Sequence, residues 1–344
     1  MCKLAFVISN SKTYYDAGTK PFVDLSIGLM KLKNIKIKSF ILFFRSPSYY
    51  GTKRKFSELQ LYYFQNLEEI KNFIEKKNIQ VVVTDDFLPR INLVKNLKAK
   101  TKIIYAQVLL GLGAINRLAN KASLKLRLTS YIPWPFLTRS YIKALNEADI
   151  VIGNSYTTTH YLASLYGISS SGVVYPPVGV NLIPPKEERN RQGILVYTGH
   201  KPDFNIRDTD RDISVLEKID KVTVWGDNGI KNLSDEELSK LYSSSRLVYS
   251  ATSFELFGYV GAEALLFRTP VLLSVYEPFL EKIPLESNMV KILGRDILSE
   301  YDVLKFLELK KDADKVVEAI KRYYAAEASA AVFAEILEKN IVCN

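Results

Sequence analysis

The sequence predicts an α/β protein of two doubly wound domains, each built around a parallel sheet. Three observations lead there. Strand-like apolar runs alternate with segments of helical periodicity from the first residues onward. That alternation pauses at VVYPPVGVNLIPP, a proline-rich extended stretch over residues 173–185, and then restarts. The chain has 344 residues and is 47% hydrophobic, which is mass enough for two ordinary cores.

Taken in order, KLAFVIS is a strand, and VDLSIGLMKL follows with Val23, Ile27, Leu29 and Met30 at helical spacing. KIKSFILFF is a second strand, rich in β-branched and aromatic residues. SELQLYYFQNLEEIKNFIEKK reads as one helix capped by Ser57, IQVVVTDD as a buried strand ending in acids, and TKIIYAQVL as another strand. Residues 117–146 read as mostly helical, broken at Pro133 and Pro135, and ADIVIGNS closes this half as a strand. Beyond the proline-rich stretch, GILVYTG and KVTVWGDNG are strands. SDEELSKLYSS is a helix with Ser234 as cap and Glu237 three residues on. RLVYSA, the segment SFELFGYVGAEALLFR and TPVLLS then give strand, turn with helix, and strand. Ala313 to Lys339 forms one or two terminal helices. The expected organisation is two Rossmann-like domains, residues 1–178 and 179–324, with a last helix from about 325 packing back on the first. Ligands of doubly wound sheets lie at the carboxyl ends of the strands, so a cleft between the domains is the expected site.

Composition narrows the chemistry. Nothing in Met1 to Asn10 resembles a signal peptide, and the longest apolar runs fall far short of a membrane span. Cys2 and Cys343 stand at the two ends, which excludes a disulfide framework and fits a reducing, cytoplasmic setting. With His160 and His200 the sole histidines, a metal site of His and Cys is not expected. Charge is uneven: residues 1–180 hold 25 Lys and Arg against 10 Asp and Glu, net +15, and the remainder is net −5 of a total of +10. The first half is therefore the side expected to face something anionic, unless the lysines are a plain solvated surface.

The segment SFELFGYVGAEALLFRTPVLLS, residues 253–274, carries the sharpest signal. A strand, a short turn and a helix place free backbone amides, with partial positive charge, at the helix start. Gly258 lets a phosphate approach those amides closely. Glu255 stands just before the helix and Glu263 inside it, and eight helical residues rise about 12 Å at most. That is roughly the reach from a sugar, across a diphosphate, to a ribose. Carboxylates accept from hydroxyls, so two of them bracketing a phosphate-binding helix start suit a nucleotide-sugar.

Thr252, Glu255, Phe257-Gly258, Glu263-Ala264 and Pro270-Val271 resemble the glutamate motif of retaining glycosyltransferases of the GT-B fold, in particular glycosyltransferase family 4. DAGTKPFVDLSIGLMKL, ADIVIGNSYTTTHYLASLYG with VVYPPVGV, and VTVWGDNG with EELSKLYSSSRLVYSA are similar to other family segments, in the right order. The resemblance implies two Rossmann-like domains facing across a cleft and a nucleoside-diphosphate-sugar as donor, used without a metal. By it, Glu255 contacts the donor sugar and stabilises the transition state, and the amides of Leu256, Phe257 and Gly258 hold the diphosphate. Glu263 binds the ribose hydroxyls. Gly226 borders the nucleobase, Gly199 follows the first strand of the second domain, and Gly18 lies under the donor phosphates.

Departures from the family are informative too. Where it has Gly-Arg and a later Lys, this chain reads Gly199-His200-Lys201 and then Arg207. Lys201 and Arg207 are assigned to the leaving diphosphate, which needs cationic help without a metal. Arg268 stands where the family ends the helix with Gly. Gln107 replaces a His common near the acceptor, and Asp86, of the Asp85-Asp86 pair at a strand end, joins it on the acceptor side. Asp208-Thr209-Asp210 looks like a metal-binding D-x-D but precedes ISVLEKI, where Asp serves as a helix cap. Residues 116–143 interleave Lys and Arg with Trp134, Phe136 and Tyr, which suits an anionic membrane surface and a lipid-linked acceptor, or else a solvated helix face. The competing readings are a GT-B epimerase or phosphorylase, a DNA-modifying transferase and a non-catalytic binding module; no nucleic-acid recognition motif is present to favour the DNA acceptor.

Overall fold

The computed structural model describes residues 2–9, 18–45, 59–107, 109, 134–184, 191–199, 209–226, 229–230, 233–252, 255–294 and 296–340. They form two compact units. The first draws on residues 1–112, 131–177 and 324–344, and the second on 178–323.

The first unit runs β1 (Cys2–Ser9), α1 (Lys20–Lys31), β2 (Ile37–Phe44), β3 (Leu61–Phe64), α2 (Leu67–Lys77), β4 (Val81–Asp85), α3 (Leu88–Lys95), β5 (Thr101–Ala106), α4 (Trp134–Asn146), β6 (Ile150–Gly153), α5 (Tyr156–Tyr166) and β7 (Gly172–Val173). The strands make a parallel sheet ordered β3-β2-β1-β4-β5-β6-β7. β1 and β4 are buried on both faces, which is why they read as nearly unbroken apolar runs. The last helix of the chain, α11 (Ala326–Asn340), belongs here. Phe333, Ile336 and Leu337 of α11 share a core with Leu4, Phe6 and Phe22. Gly28 of α1 permits that contact, because a β-carbon there would lie 2.1 Å from the Ala326 carbonyl oxygen.

The second unit runs β8 (Ile194–Tyr197), α6 (Thr209–Glu217), β9 (Val222–Trp225), α7 (Asp235–Ser244), β10 (Leu247–Ser250), α8 (Tyr259–Leu266), β11 (Val271–Leu273), β12 (Val290–Ile292), α9 (Glu300–Glu308) and α10 (Ala313–Tyr324). Its sheet is also parallel, ordered β12-β11-β10-β8-β9. Strand order reverses between β8 and β10, and in the first sheet between β1 and β4. Doubly wound sheets open a crevice at such points, beyond the strands' carboxyl ends.

Three expectations need correction. Residues 57–77 are not one helix. Leu61–Phe64 pairs with β2 as an edge strand, with Tyr63 stacked on Phe43 at 5.0 Å, and the helix starts only after Asn66, whose side chain accepts from the Glu69 amide. Four large residues with a sheet edge available do better as strand than as helix start. Asp210 is not a cap, because α6 begins at Thr209 and places it in the first turn; Asp208 lies outside the described residues. Cys2 is disulfide-bonded, against the reducing setting expected from cysteine count. It shares a core with Ile336 and Leu337 of α11; Cys343 lies outside the described residues. The expected capping box is present: Ser234 and Glu237 satisfy each other's backbone amides. Among the described residues no helix is long and apolar enough to cross a membrane.

Candidate functional site

The second unit's sheet presents four strand ends to one edge. After β8 come Thr198 and Gly199; after β9 comes Gly226. Gly226 has φ 121°, and a β-carbon there would sit 2.6 Å from the Gly199 carbonyl oxygen. Only glycine lets these two strand ends close on each other. Lys201, Arg207 and His200, expected just beyond, lie outside the described residues.

β10 ends in Ser250, Ala251 and Thr252, and the chain then turns into α8. Gly258 is the residue before the helix, at φ 94°, and no side chain caps the helix start. The first α8 amides are therefore left without an intrahelical partner. Glu255 and Leu256 are half-buried and Phe257 is buried, its ring 5.2 Å from that of Tyr259. Glu263 lies one turn inside α8 and is 4% exposed; Tyr242 of α7 donates to its Oε2 at 3.2 Å. Arg268 ends the helix in the left-handed region, φ 60°, and pairs with Asp314 at 2.6 Å. The structure thus brings Glu255, Leu256, Phe257, Gly258 and Glu263 around one helix start, with Gly199 and Gly226 on the neighbouring strand ends.

A residue the sequence reading passed over completes this edge. Glu277 follows β11 and is 0% exposed. Its Oε1 accepts from Ser250 Oγ at 2.7 Å, and Thr252 Oγ1 approaches to 3.4 Å. Its Oε2 is buried without a hydrogen-bond partner. That oxygen packs on the first turn of α8, where β-carbons on Gly258 and Gly261 would come within 2.1 and 3.1 Å of it. The Thr252 hydroxyl also hydrogen-bonds the Glu255 carboxyl, while burial pushes that carboxyl up to about 7. Burial, and then the charge of Glu255, push the Glu277 carboxyl well above the usual range. The one signal in sequence was an acid in a loop at a strand's carboxyl end, a place where solvated acids are also common.

No family model matches the chain, and no curated protein matches its sequence. Solved structures do resemble it. Sucrose-phosphate synthase from Thermosynechococcus elongatus aligns over 100% of both chains with a TM-score of 0.69 at 14% identity. AviGT4, a glycosyltransferase involved in avilamycin A biosynthesis, aligns over 100% of this chain and 99% of its own, with a TM-score of 0.62 at 13% identity. The chain has the GT-B fold. The S. aureus MnaA–UDP structure aligns over 100% of this GT-B chain and 98% of its own, with a TM-score of 0.55 at 15% identity.

In the first GT-B unit, Gly18, Asp86 and Gln107 also come together, at the reversal between β1 and β4. Gln107 Nε2 donates to the Gly18 carbonyl at 2.8 Å and to Asp85 Oδ2 at 3.2 Å. Asp86 is 0% exposed and accepts from the Gln107 and Leu109 amides and the Tyr141 hydroxyl, at 2.8, 2.6 and 2.7 Å. Its oxygens are engaged in tying the β5 exit to α4. Asp85 pairs with Arg90, yet burial still pushes its carboxyl up to about 6.

Proposed function

We propose that the chain is a retaining glycosyltransferase of the family 4 type, moving a sugar from a nucleoside-diphosphate-sugar to an acceptor hydroxyl. The observation that carries this reading is the placement of Glu255 and Glu263 on either side of the amide-bearing start of α8, at the reversal point of the second sheet. The α8 amides hold the diphosphate, Glu263 takes the ribose hydroxyls, and Gly226 borders the base. Glu255 stabilises the positive charge that grows on the sugar as the glycosidic bond to phosphate breaks. Lys201 and Arg207 meet the charge on the leaving diphosphate, so no metal is needed. With no second carboxylate assigned as a nucleophile, the acceptor oxygen attacks the face the diphosphate leaves, its hydroxyl proton passes to the departing phosphate oxygen, and the configuration is kept.

The acceptor belongs to the first unit. The net charge of +15 over residues 1–180 of the chain and the basic, aromatic stretch 116–143 favour a lipid-linked acceptor at an anionic surface. The test is release of nucleoside diphosphate from a panel of nucleotide-sugars, with and without EDTA, read beside thermal shift. One donor should stabilise the fold and turn over slowly whether or not EDTA is present, and Glu255→Ala should abolish turnover. Complete conversion of the donor to an isomer without any acceptor would replace this reading by an epimerase; release abolished by EDTA would sink the metal-free route.

A further inference from the structure

Two carboxyls meet at this site, and the proposed chemistry uses one. Glu277 is completely buried, and Glu255, half-buried, stands beside it across the Thr252 hydroxyl. Their donors do not suffice for two anions. Ser250 gives its proton to Glu277 Oε1, and Thr252 has a single proton for whichever carboxyl it serves. Glu277 Oε2 meets the first turn of α8 at Gly258 and Gly261, which bring no side chain and no hydrogen-bond partner to it. Among the described residues, the other titratable groups that face the pair are Tyr242 on α7, which feels the Glu277 charge, and Glu263 beyond it on α8. Glu281 and Lys282 lie on Glu277's own turn, and the Lys282 ammonium rests over the Tyr323 ring. No ion pair among the described residues reaches Glu255 or Glu277. Two adjacent buried carboxylates that share so few donors do not both ionise.

We propose that Glu255 and Glu277 form a proton-sharing pair in which Glu277 keeps the proton, on Oε2, and Glu255 is the single anion. The fully buried partner holds the proton and the half-buried one the charge, because charge settles where water still solvates it. Glu277 is then a positioning residue: it touches neither sugar nor phosphate, and sets the charge of the residue that does. A diphosphate at the α8 start meets one negative charge and not two. The role given to Glu255 rests on the transferase reading, whereas the location of the proton does not.

Infrared spectroscopy of the whole protein, at a pH above both the value of about 7 for Glu255 and that of about 6 for Asp85, separates the two. Wild type should show the carbonyl band of a neutral carboxylic acid that is missing from Glu277→Gln; the difference matters because Asp85 is a second buried acid. Donor turnover against pH is the second reading. Wild type should fall on the alkaline side as Glu277 ionises, Glu277→Gln should lose that limb while kcat drops about threefold, and Glu277→Asp should bring it back. Absence of the neutral-acid band in wild type overturns the pair. So does its survival in Glu277→Gln, or a folded Glu277→Gln whose turnover falls more than about a hundredfold at every pH. If Glu277→Gln fails to fold, the comparison of wild type with Glu277→Asp still decides, since a shorter acid must move the band and the limb together. Should no nucleotide-sugar bind wild type while the band is present, the transferase reading falls and the proton pair stands.

Discussion

Tyr242 holds Glu263 from a different helix: its hydroxyl donates to Oε2 across 3.2 Å, deep enough that Glu263 is 4% exposed. In the proposed role at the ribose, a carboxylate so placed is oriented before any ligand arrives. Tyr242→Phe leaves a buried carboxylate oxygen short of a donor, at a cost of about 1–3 kcal/mol. Urea denaturation should show that loss. Donor KM should rise several-fold with kcat nearly kept, because the contact to ribose is the same in ground and transition states. A KM unmoved by both Tyr242→Phe and Glu263→Gln would remove Glu263 from donor binding.

Glu255 links activity and stability to pH with opposite signs. Its carboxyl sits at about 7 in the folded protein against an ordinary value of 4.5. Between those values the folded chain holds a proton that the unfolded chain has released, so stability falls as pH rises through the interval. The ionised form is the one that stabilises a developing cation, so kcat/KM should climb over the same interval and level off above it. Glu255→Gln should flatten the rate profile, leave the stability curve with the slope that Asp85 contributes up to about 6, and lower kcat about 10²–10³-fold. Parallel melting curves and rate profiles across pH 4.5–8 check this; a profile with no inflection near 7 counts against it.

Gly258 is constrained twice, by φ 94° and by the Glu277 oxygen 2.1 Å from where a β-carbon would stand. Gly258→Ala should therefore cost more than the ~1 kcal/mol usual for alanine at positive φ. It should also abolish the thermal shift given by nucleotide, since Glu277 and the helix start have to separate. Calorimetry with and without nucleoside diphosphate measures both.

Asp86 distinguishes an anchor from an acceptor contact. Asp86→Ala removes the acceptor of the Gln107 and Leu109 amides and the Tyr141 hydroxyl. At about 1–3 kcal/mol for each buried group left unpaired, unfolding in urea should move by several kcal/mol. Unchanged stability together with a raised acceptor KM would instead make it a substrate contact.

How far the sequence could be read depended on whether local pattern or remote packing decided each element. β1, β2, β4, β5 and β10 carry runs of apolar residues that only a buried strand accommodates, and the Ser234–Glu237 box marks its helix by chemistry alone. Leu61–Phe64 could not be told from helix, because what makes it a strand is the free edge of β2, far away in sequence. The glutamates at 255 and 263 were legible through their spacing around Phe257-Gly258. Glu277 was not: its meaning comes from Ser250 and Thr252, 27 and 25 residues earlier, and from two glycines that leave room for it. A carboxyl's surroundings, unlike its periodicity, are not written next to it. Asp86 shows the converse, an acid noticed for its strand-end position whose oxygens are taken up by its own unit.

The seat of α11 against Gly28 also has a consequence in time. A ribosome delivers the first unit's strands before the second unit, yet the helix that covers Leu4, Phe6 and Phe22 is made only after it. The first unit is therefore completed only after the second, and must wait through its synthesis with an uncovered apolar face. A nascent chain stalled after Tyr323 should accordingly hold a protease-resistant second unit and a first unit that digests.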